Sequence, residues 1–262
     1  MRADLYLSRN GYADSRQRAR ILIEQGSVRI DGHPVTKPAQ EIPEGEHAVE
    51  LLDTLRYVGR GGQKLEAALA AFSLDVREAV CLDVGASTGG FTDCLLQNGA
   101  MRVTAVDSGS DQLAPSLRAD ARVRSIERKN ARELTLDELG GEPVDLIVMD
   151  VSFISATYLV PLFPLWMKED AFAVVLIKPQ FEVGRSMLGK GGVVKDPRAH
   201  RLAVERVLES AAACGLCATG LIPSPIRGGD GNREFLVCLT RQRKGVTPLC
   251  EAQIRRICTA QT

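Results

Sequence analysis

Four short apolar runs rich in β-branched residues recur through the middle of the chain: Val80–Val84, Val103–Val106, Leu146–Met149 and Ala173–Ile177. Segments of helical length lie between or after them, at Gly90–Asn98, Ile154–Met167 and His200–Cys214. A strand that is apolar without alternation needs cover on both faces. Parallel strands joined by crossover helices supply that cover. The pattern therefore predicts an α/β fold with a mostly parallel sheet, running from about Leu55 to Leu239. The last strand candidate, Glu234–Leu239, follows a Gly-rich loop without a crossover helix, which suits one antiparallel strand.

A smaller unit precedes this one. Ala3–Arg9 is a short helical segment ended by Asn10-Gly11. Ser15 is a candidate N-cap, with Ala19, Leu22 and Ile23 on one helical face and Gly26 beyond its end. Val28 and Ile30 then alternate with polar residues ahead of Asp31-Gly32, a turn that needs φ > 0 at both positions. The expected division is a small α+β domain at 1–52, a linker at 53–58, the large domain at 59–242 and a tail at 243–262.

The 33 Lys and Arg match the 33 Asp and Glu. This excludes a uniformly basic coat protein but not a local basic patch, because a field depends on where charges sit. The seven Cys are odd in number and scattered, which fits buried thiols in a reducing cytoplasm. Cys214 and Cys217 form a C-x-x-C with no second ligand pair, so no metal is expected. Neither a signal-peptide core nor the roughly 20 apolar residues of a membrane span is present in the sequence given, and a cytoplasmic protein without membrane contact is expected.

The first apolar run ends in Asp83-Val84-Gly85-Ala86-Ser87-Thr88-Gly89-Gly90-Phe91. Strand, Gly-rich turn and helix in that order cradle nucleotides in doubly wound folds. Neither G-x-G-x-x-G nor G-K-[ST] occurs here. The Ser and Thr hydroxyls suit a ribose and an amino-acid tail better than a diphosphate. Asp107 ends the next strand and can accept both hydroxyls of an adenosine ribose. S-adenosylmethionine is the favoured cofactor, with a nicotinamide nucleotide second.

Further strand ends carry charge. Asp150 follows Val144–Met149 in Asp150-Val151-Ser152-Phe153, the position where methyltransferases of exocyclic base amines carry Asn/Asp-Pro-Pro-aromatic; here both prolines are missing. Lys178 follows an apolar strand, where Lys is rarely placed without a partner. Glu234 opens the last strand, and Lys64 lies just ahead of the sheet. Methylating a ribose hydroxyl requires a base for its proton. A Lys can serve when desolvation and a neighbouring cation favour its neutral form, and carboxylates oppose that effect. Each residue alone reads more simply as part of an ordinary ion pair.

Taken together, Lys64, Asp150, Lys178 and Glu234 resemble the Lys-Asp-Lys-Glu tetrad of FtsJ-like ribose 2′-O-methyltransferases. The strings YVGRGGQKL, DVGASTGGFTDCLLQNGA, DVSFIS, KPQFEVG and GGDGNREFL resemble those of the TlyA family of ribosomal RNA methyltransferases, also called haemolysin A. The N-terminal unit, with Asp14–Arg20 and Gly26–Gly32, resembles an S-four-like RNA-binding domain. The likeness runs to about Thr240. One departure is Gly59, where the family usually has Ser. The resemblance implies a Rossmann-like methyltransferase domain that acts on cytidine 2′-hydroxyls of ribosomal RNA, of the large subunit alone or of both subunits. It further implies that Asp83, Gly85, Ser87, Thr88, Gly89, Gly90, Phe91, Asp107 and Asn130 surround the cofactor, with Phe153 beside it or else a plain core aromatic.

The partner would be ribosomal RNA or a ribosomal subunit, met by a monomer. Arg16, Arg18 and Arg20, continued by Arg56 and Arg60, are the expected phosphate contacts, and five basic residues between Gly184 and Arg201 suggest a further basic wall. Few exposed aromatics are evident, so base stacking is not expected to dominate. The competing readings are a membrane-active cytolysin, a ribosome-binding factor without activity, and a pseudouridine synthase, which the Gly-rich loop does not fit.

Overall fold

The computed structural model describes residues 1–24, 26–51 and 56–260. The chain divides into two compact units, Met1–Arg60 and Gly61–Thr262. Residues 53–55 of the expected linker lie outside the described residues.

The first unit opens with helices α1 (Ala3–Arg9) and α2 (Arg16–Glu24). Ser15 Oγ accepts from the Arg18 amide at 3.1 Å, capping α2 as expected. Strands β1 (Val28–Ile30) and β2 (His33–Pro34) form the hairpin, and its turn holds Asp31 at φ 51° and Gly32 at φ 76°. A strand absent from the sequence reading, β3 (Val49–Leu51), pairs antiparallel with β1. Its Val-Glu-Leu alternation is short and lies next to an acidic stretch. Leu7, Ala19, Leu22, Ile23, Val28 and Ile30 make the small core. Asp4 is buried at the base of α1 and accepts from Arg2 at 3.0 Å and from Arg16 at 2.9 Å. Its pKa is pulled down to about 2, chiefly by the Arg2 guanidinium and also by Arg16, against the opposing effect of burial.

The second unit runs α3 (Gly61–Ala71), β4 (Val80–Val84), α4 (Gly90–Gln97), β5 (Arg102–Val106), α5 (Pro115–Arg118), β6 (Val123–Ile126), β7 (Val144–Met149), α6 (Phe163–Trp166), β8 (Met167–Ile177), α7 (Pro179–Glu182), α8 (Pro197–Ala213), β9 (Leu216–Pro223), β10 (Phe235–Arg241) and α9 (Glu251–Thr259). The sheet order is β6-β5-β4-β7-β8-β10-β9. Neighbours from β6 to β8 are parallel, and β10 runs antiparallel to both β8 and β9. The expected mostly parallel sheet with one reversed strand is therefore present. Its consequence is positional. The carboxyl ends of β4, β7 and β8 share one edge, and Phe235 pairs with Ile177, so the amino end of β10 reaches that same edge.

Three differences from the sequence reading have local causes. The segment 154–167 is not one helix: it breaks into 3-10 turns at Ala156–Tyr158 and Val160–Leu162, then the single turn of α6, before β8 begins at Met167. Pro161 and Pro164 each lack the amide that a continuous helix needs. Two strands went unread, β6 because Arg and Ser interrupt its apolar pattern and β9 because it is built from Leu, Cys, Ala, Thr and Gly. The tail forms α9, which buries Ile254 and Cys258 against the main core.

That core is dominated by Trp166, Phe163, Phe235 and aliphatic residues from the sheet. Among the described residues no helix is long and apolar enough to cross a membrane, and no group of three or more His, Cys, Asp or Glu is arranged to hold a metal. Cys217 is buried and Cys214 half-buried.

Candidate active site

The shared edge gathers four charged side chains. Asp150 directly follows β7, and its amide still bonds the Val84 carbonyl at 3.0 Å, extending the parallel ladder. Lys178 follows β8 and is succeeded by Pro179, which cannot continue the ladder and starts α7. Glu234 immediately precedes β10, and Lys64 lies in the first turn of α3. Lys178 Nζ is 2.6 Å from Asp150 Oδ1, Lys64 Nζ is 3.8 Å from Asp150 Oδ2, and Lys64 Nζ is 2.6 Å from Glu234 Oε2.

The side chains of Lys64, Asp150, Lys178 and Glu234 are 7%, 20%, 11% and 2% exposed. At this burial an isolated charge is costly, so two cations and two anions in a chain are mutually obligatory. Removing one partner typically costs about 3–5 kcal/mol. A Lys in the first turn of a helix also opposes the helix dipole, so only its carboxylate partners favour Lys64 there.

Two glycines make the approach possible. A Cβ on Gly85 would lie 2.6 Å from the Asp150 carbonyl oxygen, and Gly85 holds φ 83°, so β4 and β7 meet closely only through Gly. A Cβ on Gly228 would lie 2.6 Å from Glu234 Oε1.

Beside the four lies a cleft of about 580 Å³. Gly85, Ser87, Asp107, Asn130, Asp150 and Phe153 line it. Asp107 holds the Gly-rich turn in place: its Oδ2 accepts from the Ser87 amide and its Oδ1 from the Gly109 amide, each at 2.7 Å. Those bonds leave the carboxylate's remaining lone pairs for hydroxyls.

Asp83, Thr88, Gly89, Gly90 and Phe91 do not line the cleft. Asp83 is fully buried below the turn, where its Oδ2 accepts from Thr92 Oγ1 at 2.7 Å and its Oδ1 has no hydrogen-bond partner among the described residues. Burial pushes its pKa up to about 7, against the opposing Thr92 hydrogen bond. Phe91 and Gly90 are buried at the start of α4, and Gly89 packs toward Leu113 and Leu117.

Phe153 is not a core aromatic. It is 92% exposed at φ 65°, an uncommon conformation for a bulky residue, and its ring centroid lies 5.4 Å from that of Phe181. Tyr158 is exposed as well, with the Arg132 guanidinium 5.7 Å from its ring centroid. The structure thus exposes more aromatic surface near this edge than the sequence suggested.

A cofactor with a ribose, a cationic centre and an apolar ring fits this donor set. Carboxylates at Asp107 and Asp150 face the cleft beside the apolar side chains of Val106, Ala131, Ile154 and Leu159, and no lysine-bearing phosphate loop is present.

Residues 57–241 match the FtsJ-like methyltransferase model. The chain belongs to the FtsJ-like methyltransferase family. Residues 1–47 match the S4 domain. The chain is 46% identical over 242 residues to the 16S/23S rRNA (cytidine-2′-O)-methyltransferase TlyA of Mycobacterium tuberculosis, covering 92% of this chain and 90% of that protein. It is 41% identical to Hemolysin A of Brachyspira hyodysenteriae, covering 90% and 98%. A solved structure of a hemolysin-named protein from Streptococcus thermophilus superposes with a TM-score of 0.78 at 38% identity, covering 98% and 94%. An S-adenosylmethionine-dependent methyltransferase from Mesorhizobium loti shares the fold alone, at 15% identity and a TM-score of 0.51, covering 67% and 96%.

Several residues of the candidate site carried no sequence signal. Ser152 Oγ accepts from Lys178 Nζ at 2.7 Å, and Gln112 Oε1 accepts from Ser87 Oγ at 3.2 Å. Ser108, Gly109 and Lys129 also line the cleft. A single polar residue in a loop looks the same whether it faces a ligand or water.

The basic residues of the first unit are partly committed. Arg16 bonds Asp4 yet remains 54% exposed, Arg18 donates to the Tyr57 carbonyl at 3.4 Å, and Arg20 is exposed. Arg56 lies 5.3 Å from the centroid of the Tyr57 ring, and Arg60 is half-buried. In the second unit Arg185, Lys190, Lys195 and Arg198 are exposed, whereas Arg201 is paired with Glu205 and Glu251.

Proposed function

We propose that this protein methylates the ribose 2′-oxygen of cytidine in ribosomal RNA, of the large subunit alone or of both subunits, using S-adenosylmethionine. The observation that carries the reading is the unbroken ion-pair chain from Lys178 through Asp150 and Lys64 to Glu234 at the carboxyl edge of the sheet. A ribosome-binding factor without activity has no use for four charges held this far from water. The relatives named for cytidine 2′-O-methylation support the choice of substrate.

When bound, S-adenosylmethionine supplies an electrophilic methyl group. Asp107, with Gly85, Ser87 and Asn130, would hold it in the cleft, and Asp83, Thr88, Gly89, Gly90 and Phe91 would shape the turn from behind. Lys178 in its neutral form takes the proton from the 2′-hydroxyl. Asp150 aims Lys178, Lys64 bridges Asp150 and Glu234, and the four charges sum to zero while Lys178 is protonated. The exposed ring of Phe153 offers a face to the cofactor or to a base.

Residues 1–52 would dock on RNA through Arg16, Arg18 and Arg20, joined by Arg56 of the linker and by Arg60 at the start of the transferase domain at 59–242. No metal is needed for this chemistry, and a monomer acting in the cytoplasm fits the reading. The test is mass-spectrometric mapping of ribose methylation in ribosomal RNA incubated with the protein and labelled cofactor. Cytidine 2′-O-methylation is expected. Label on a base, or no label in any subunit or free RNA, would overturn it.

A further inference from the structure

The two loops that carry Asp150 and Lys178 leave neighbouring strands and could in principle move independently. One buried carboxylate spans them. Glu182, the last residue of α7, is 6% exposed and reaches back to the loop after β7. Its Oε2 accepts from Ser155 Oγ at 2.5 Å and its Oε1 from the Ala156 amide at 2.8 Å. Its own carbonyl accepts from Arg206 Nη1 of α8 at 2.5 Å, anchoring α7 from below. A second cross-link, the Phe153–Phe181 ring contact, joins the same two loops on the solvent side.

A carboxylate is a costly choice for simple packing at this place. Burial pushes the Glu182 pKa up, so the group sits there against its own desolvation, opposed by the Ser155 and Ala156 donors. Its two oxygens bind one hydroxyl and one amide, and both belong to the loop that starts at Asp150. Glu182 lies four positions after Lys178, and α7 makes that interval one rigid turn, with the Phe181 amide bonded to the Lys178 carbonyl at 2.9 Å and the Val183 amide to the Pro179 carbonyl at 3.0 Å. The distance between Lys178 Nζ and Asp150 Oδ1 is therefore set from behind.

We infer that Glu182 is a positioning residue: it locks the loop after β7 to the turn after β8 and so fixes the Lys178–Asp150 pair for proton removal. The inference rests on the proposed reading of that pair. It differs from the pair itself because Glu182 touches neither of the two side chains and does not line the cofactor cleft. A misplacement of about 1 Å at a reacting group can cost about 100-fold in rate.

The test compares the full-length wild type with Glu182→Ala, Glu182→Gln and Ser155→Ala, and with Val207→Ala as a control for lost core packing in α8. Two measurements are made: steady-state methyl transfer to ribosomal RNA, and amide hydrogen exchange read by mass spectrometry across 150–158. Glu182→Ala should lower kcat by about 10- to 100-fold with KM for RNA unchanged. Glu182→Gln, which keeps an acceptor for Ala156 and can donate to Ser155, should recover most of the loss. Ser155→Ala should show a smaller fall in the same direction. Exchange at 152–156 should quicken in Glu182→Ala and not in Val207→Ala.

A kcat loss no greater than that of Val207→Ala, or unchanged exchange at 152–156, would overturn the inference. Should Glu182→Ala fail to fold, the kcat and exchange of Ser155→Ala decide it by the same criteria. Should the wild type transfer no methyl to ribosomal RNA, the proposed function falls, and the exchange measurement still decides whether Glu182 locks the loops.

Discussion

A hydroxyl brought to Lys178 meets one amine held by one carboxylate and one serine, at 2.6 Å from Asp150 and 2.7 Å from Ser152. Lys178→Ala should therefore lower methyl transfer by about 10²–10⁴-fold. Cofactor affinity, measured by titration calorimetry, should persist, because Lys178 does not line the cleft; turnover near that of the wild type would refute the assignment. Asp150, Lys178 and Glu234 were legible in the sequence as charges at the ends of apolar strands, whereas Lys64, in the helix ahead of the sheet, entered only through the resemblance to the Lys-Asp-Lys-Glu tetrad. Ser152, Gln112 and Glu182 were not, since their roles depend on which loop folds back onto which. Phe153 was legible as a position but not as an exposed ring, because exposure is decided by neighbours distant in sequence.

Single elements show how local chemistry and tertiary context divide the work. The helices α1, α2 and α8 carry their own start and stop signals: Ser15 before α2, Asp196 before α8, and Asn10-Gly11 after α1. Pro161 and Pro164 were equally visible, and they explain why 154–167 is a string of turns rather than a helix. The strands β6 and β9 have no such signal and exist because a paired neighbour supplies their ladder. In the first unit, α1 and α2 are clipped together by Asp4 with Arg2 and Arg16. Asp4 has its pKa lowered in the folded state from 3.8 to about 2. Its contribution to stability is thus fully present above about pH 4 and lost as pH falls toward about 2. Asp4→Asn should lower the thermal midpoint of this unit at neutral pH, and the gap to wild type should close toward about pH 2. A gap that is constant across that range, measured by circular dichroism, would show that the clip is not electrostatic.

Over the whole molecule, the division into Met1–Arg60 and Gly61–Thr262 separates the exposed arginines of α2 from the cleft-bearing sheet. Removing residues 1–52 should weaken binding to ribosomal RNA and flatten its dependence on salt, since each lost phosphate contact removes a released counterion. Cofactor affinity should be unchanged, and RNA affinity equal to that of the intact chain would refute the docking role. The zero net charge said nothing of this, because it sums over a surface on which Arg185, Lys190, Lys195 and Arg198 lie exposed together in one stretch. The placement of β10 has a further consequence, in time rather than in space. Emerging from synthesis, the chain presents β4, β5, β6, β7 and β8 in an order that lets each find a parallel neighbour early. The strand that must slot between β8 and β9 arrives last, and Glu234 arrives with it. A growing chain therefore holds a nearly finished sheet whose ion-pair chain is still open, and the chain from Lys178 to Glu234 closes only once this last strand is in place.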